Sequence, residues 1–71
     1  MTDLTLRVNG EPILVAQGST IADLVAQLVP GTEAKGIAVA VDRCVIPRSE
    51  WHSTLARADS RVEVVTAAAG G

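Results

Sequence analysis

Leu4-Thr5-Leu6-Arg7-Val8-Asn9-Gly10-Glu11-Pro12-Ile13-Leu14-Val15 is the stretch from which the rest of the chain can be read. Leu4, Leu6 and Val8 alternate with Thr5 and Arg7, the two-residue period of a half-buried strand. Asn9 and Gly10 both tolerate the positive φ that a two-residue hairpin turn requires, so the chain returns through Pro12-Ile13-Leu14-Val15 as a second strand. Pro12 has no N–H to give a neighbour and is confined to the start of that strand or to a sheet edge. The chain therefore opens as a β-hairpin, and something must cover one of its faces.

The cover follows directly. After Gly18, Thr20 is placed to cap a helix, with Asp23 three residues on as a shortened version of the usual Glu or Gln of a capping box. Ile21, Leu24, Val25 and Leu28 fall at i, i+3, i+4 and i+7 and make one apolar face, leaving Asp23 and Gln27 to water. Val29-Pro30-Gly31 ends the helix and Thr32 to Gly36 reads as loop. Ile37, Val39 and Val41 then alternate with Ala38 and Ala40 as a central strand, Asp42-Arg43 turns, and Cys44-Val45-Ile46 is a short strand cut off at Pro47. Arg48 to Ala58 has no clean period and reads as turns or a short helical turn. Arg61 to Thr66 is the last strand, Val62 and Val64 inward and Glu63 outward. The order ββαβββ defines an α+β domain over residues 1–66, one helix on a mixed sheet of four to five strands. Residues 67–71, Ala67-Ala68-Ala69-Gly70-Gly71, have nothing large to anchor them and read as a mobile tail.

Composition bounds what such a domain does. The chain has 71 residues, 48% of them hydrophobic, which is one small core and no second domain. A single Trp with no Phe or Tyr, a net charge of -2 and a pI near 5.1 argue against nucleic acid as a ligand. Mean hydropathy is +0.33, but the apolar runs are far shorter than a membrane span, and Met1-Thr2-Asp3-Leu4 has no secretory pattern. The expectation is a cytoplasmic protein without membrane partners. Cys44 is the one cysteine, which rules out an internal disulfide and a multi-thiolate metal site.

Few internal residues suit catalysis. His52 stands without a second His or a positioned carboxylate and reads as an ordinary histidine. Cys44, in an apolar stretch, reads as a packed small hydrophobe, and Trp51 as part of the core or its rim. No carboxylates or hydroxyls stand at a spacing that argues for acid-base or nucleophilic chemistry, so the chain reads as a non-enzyme. The terminal Gly70-Gly71 is different. Two glycines there by chance have a likelihood of roughly half a percent. Five extended residues reach about 17 Å, and glycine, with no Cβ, passes a narrow channel. A carboxylate must first be given a leaving group, so the chemistry expected at Gly71 is adenylation by a partner that uses ATP, then attack by a sulfur nucleophile.

These residues resemble a known family. The hairpin with Asn9-Gly10, the capped helix, Gly36 to Asp42, Val45-Ile46-Pro47-Arg48-Ser49-Glu50-Trp51, Arg61 to Val65 and the closing Gly70-Gly71 are similar to ThiS, the sulfur carriers of thiamine biosynthesis. The Val-x-Pro-Arg-x-x-Trp arrangement from Val45 to Trp51 is its most discriminating part. The resemblance implies a ubiquitin-like β-grasp fold and adenylation by a ThiF-type enzyme. It further implies a thiocarboxylate at Gly71, sulfur delivery to the thiazole synthase ThiG, and no cofactor bound to the chain itself. Gly70 would thread the tail into the partner, and Arg48, Trp51 and Ala69 are candidate partner contacts. A molybdopterin-synthase small-subunit-like carrier and a ubiquitin-like modifier stand as alternatives. One departure is Ala58-Asp59-Ser60, where the family has a Gly-Asp turn. Ala58 would be strained at positive φ, which predicts another turn type or a shift of one residue.

Overall fold

A computed structural model describes residues 3–28 and 36–66. Strands β1 (Asp3–Val8) and β2 (Glu11–Ala16) form the opening hairpin, α1 spans Ile21–Leu28, β3 is Ile37–Val41 and β4 is Cys44–Ile46. A 3-10 turn, Arg48–Glu50, precedes β5, Arg61–Thr66. The strands make one five-stranded sheet in the order β2-β1-β5-β3-β4. β5 is parallel to β1 and antiparallel to β3, so the last strand enters between the hairpin and β3. The middle of the sheet is thus β5; β3, expected as the central strand, lies one place towards the β4 edge.

Two-residue turns with positive φ at both positions close both hairpins, Asn9 (51°) with Gly10 (86°) and Asp42 (49°) with Arg43 (72°). The first is the Asn-Gly turn expected from the sequence. At the start of β5 the left-handed residue is Asp59, with φ 65°, and not Ala58. The turn is therefore displaced by one residue onto a side chain that tolerates this region. The Asp59 N–H donates to Thr5 O at 2.8 Å, tying the turn to β1.

One sheet face packs on α1. Leu6, Ile21, Leu24, Val39 and Val62 are wholly buried between them, each removed from water at a gain of roughly 1.5–3 kcal/mol. Leu28 packs half-buried at the margin, and Asp23 and Gln27 are exposed as the helical period requires. The capping box closes in spite of the short acid: the Thr20 N–H donates to Asp23 Oδ2 at 3.0 Å and the Asp23 N–H to Thr20 Oγ1 at 3.1 Å. The N–H groups of Ile21 and Ala22 donate to the carbonyls of Thr54 and Trp51 at 2.8 and 3.1 Å, and that of Leu24 to Thr20 O at 3.0 Å. All four early helix donors are thereby satisfied. The segment after Pro47, aperiodic in sequence, is the lid on the start of the helix. The stop signal Val29-Pro30-Gly31 and the loop from Thr32 lie outside the described residues.

Both sheet edges are blunted against further strands. On β2, Pro12 lacks a donor and Leu14 O accepts from Gln27 Nε2 at 3.3 Å. β4 has three residues and runs into Pro47. Cys44 does not pack as expected: it is an exposed free thiol. Cys44 is the first residue of the edge strand, paired with Val41 beside the Asp42-Arg43 turn, with no strand outside it. No helix among the described residues is long and apolar enough to cross a membrane.

Candidate functional site

Thr66, the last described residue, is the root from which Ala69, Gly70 and Gly71 depart; those three lie outside the described residues. What the structure shows is how firmly that root is held. β5 has β1 on one side and β3 on the other, with Ile37 paired to Thr66 and Val39 to Val64. The last backbone bond to β5 is that of the Asn9 N–H to Val62 O at 2.9 Å, and beyond it the contact continues through the Asn9 side chain. Asn9 Nδ2 donates to Val64 O at 3.1 Å and the Val64 N–H donates to Asn9 Oδ1 at 3.0 Å. A carboxamide presents the same donor and acceptor as a peptide group and here takes the place of one.

On the far side of β3, Val39 pairs with Ile46, and Ile46 O accepts the Trp51 indole N–H at 3.0 Å. One row thus crosses the sheet from Asn9 through Val64, Val39 and Ile46 to Trp51, two residues short of the root. Because β4 runs in the direction of β5, Arg48 lies beyond Ile46 at the end of the sheet from which the tail leaves.

Arg48 and Trp51, singled out as partner contacts, play different parts. Trp51 is 4% exposed and sits in the core. Arg48 is exposed, and its Cζ stands 5.7 Å from the indole centroid, a cation–π distance that presents the guanidinium on the buried ring. Pro47, extended at φ -59° and ψ 144°, starts the 3-10 turn that brings the two together. His52 is exposed. Among the described residues no group of three or more His, Cys, Asp or Glu could hold a metal ion. The lateral tie of Asn9 was not legible in the sequence, where Asn9-Gly10 reads only as a turn.

A five-stranded mixed sheet with its last strand inserted at the centre and one helix on one face is the ubiquitin-like β-grasp domain. The model of the ThiS family matches residues 5–71, and the chain belongs to that family. Among solved structures it is similar to the thiamine biosynthesis protein ThiS from Geobacter metallireducens. The two are 25% identical with a TM-score of 0.74, over 96% of this chain and 100% of that one. No curated protein sequence matches the chain.

Proposed function

We propose that the chain is the sulfur carrier for the thiazole ring of thiamine, working through the carboxylate of Gly71. The observation that carries this reading is that the family match runs through Gly70 and Gly71, to which the central strand leads. A ThiF-type enzyme transfers AMP from ATP to the Gly71 carboxylate and releases pyrophosphate; hydrosulfide furnished by the sulfur donor then displaces AMP and, losing its proton, leaves a thiocarboxylate. ThiG, the thiazole synthase, receives the sulfur. The chain is substrate and carrier in these steps, and the cytoplasm is where its ATP-using partner would act.

Intact mass spectrometry tests the proposal. Incubated with the activating enzyme, ATP and a sulfur donor, the chain should show one oxygen replaced by sulfur, localised to Gly71, and removal of Gly71 should abolish the change. An unchanged mass overturns it. Rescue of a deletion strain by the thiazole precursor assigns the acceptor; loss of molybdoenzyme activity instead would assign a molybdopterin pathway.

A further inference from the structure

Arg7 and Arg61 are register partners on the parallel pair β1 and β5, and both are exposed on the face turned away from α1. Neighbouring strands lie about 4.8 Å apart, so the two arginine side chains leave the sheet side by side, where like charges directly opposite are unfavourable. A second unfavourable placement adjoins the first. Arg43 has φ 72°, in the left-handed region that favours Gly, Asn or Asp over a long side chain. Arg43 and Arg61 line one depression with Asp42 and Glu63, and Arg7 and Arg61 line its neighbour, of about 710 Å³, beside Asn9 and Val65.

Three of the six basic residues of a chain with net charge -2 thus meet on one part of one face. Of the two acids there, Asp42 is engaged with the backbone: its Oδ1 accepts the Arg61 N–H at 3.0 Å. Neither the paired arginines nor the left-handed one has a folding reason. Glu63, the second acid, offsets one of the three cations; the charge that remains, with the left-handed Arg43, marks a place kept for another purpose.

We propose that this part of the sheet face receives an acidic polypeptide segment of the adenylating partner, whose carboxylates take Arg7 and Arg61 as forked donors. The inference rests on the function proposed above. Guanidinium is suited to carboxylate because its N–H groups match the two oxygens in a plane. The same patch presents the 61%-exposed Val65, an apolar contact that a polypeptide takes up and a phosphate backbone does not. Arg61 is five residues before Thr66, about 17 Å along the strand. A contact there orients the sheet against the partner without touching the tail.

The experiment is steady-state adenylation of the full chain by its ThiF-type enzyme, followed by pyrophosphate release, for the wild type, Arg7→Thr/Arg61→Thr and Arg7→Lys/Arg61→Lys. The threonine variant should melt at the same or a higher temperature, with KM for the carrier raised about 10-fold and kcat nearly unchanged. Its kcat/KM should also lose the salt dependence of the wild type, and poly-L-glutamate should inhibit the wild type alone. The lysine variant, which keeps the charge and loses the fork, should fall between the two. A wild type that is adenylated while both variants keep its KM and salt dependence overturns this inference and leaves the proposed function standing. A wild type that is not adenylated overturns both.

Discussion

The Asn9 carboxamide is bonded to Val64 as one strand residue is to another, accepting its N–H at 3.0 Å and donating to its carbonyl at 3.1 Å. Asn9 also holds φ 51° in the hairpin turn, so one residue makes the turn and extends the pairing of β1 with β5. Asn9→Gly separates the two roles, since glycine keeps the turn and removes the amide. The loss should be about 1–2 kcal/mol, or about 4–8 °C of melting temperature per kcal/mol. Asn9→Asp, which keeps the acceptor only, should fall between. Thermal unfolding followed by fluorescence of Trp51, the one tryptophan, checks this; an unchanged midpoint for Asn9→Gly would remove the strand-like role.

Thr20 and Asp23 each satisfy the backbone N–H of the other. Thr20→Ala should lower stability by about 1 kcal/mol and Thr20→Ser should retain most of it. In urea the midpoint should move while the slope stays constant, because the surface exposed on unfolding is unchanged. A changed slope would mean that the cap shapes more than the helix end.

Trp51 and Arg48 separate structure from recognition. Trp51→Phe keeps much of the buried area but leaves Ile46 O without its donor, a loss of about 1–3 kcal/mol. Trp51→Ala should cost about 3–5 kcal/mol, enough to unfold much of a 71-residue domain. Arg48→Ala gives up only an exposed cation–π contact of about 0.5–1 kcal/mol and should remain folded. Any fall in its kcat/KM for loading then belongs to the partner contact, and a wild-type value would strike Arg48 from that role.

Gly70→Val should block loading of Gly71 and leave the melting temperature where it is. A β-branched side chain at that position is stiff and wide for a narrow channel, while the buried core of the described residues lies within residues 6–62. Adenylation and melting measured on one preparation test both halves; normal loading would remove the channel argument, and a large drop in melting temperature would show that Gly70 serves the domain.

The fold could be read from the sequence wherever local chemistry and pattern agree. The alternation up to Val8, the Asn9-Gly10 turn, the apolar face from Ile21 to Leu28 and the inward Val62 and Val64 each need only their own neighbours. What could not be read depends on distant partners. Ile37 to Val41 looks central because it is uniformly apolar, yet the middle position belongs to β5, whose entry between β1 and β3 is a matter of topology. Cys44 sits among aliphatic residues and is exposed, at the turn end of a strand that has a neighbour on one side only. The segment from Arg48 to Ala58 has no period because its backbone caps a helix some thirty residues earlier in the chain. Of the site, the Pro47-to-Trp51 signature was visible, whereas the row joining Asn9 to Trp51 needed the register of three strands.

The central position of β5 also has a mechanical meaning. A partner that grips the residues after Thr66 pulls along a strand bonded on both sides, to β1 running with it and to β3 running against it. Such a load acts in shear, so the bonds on both flanks resist together instead of opening one after another as they would at an edge. An enzyme can draw on the end of this chain without unravelling the domain it must later release.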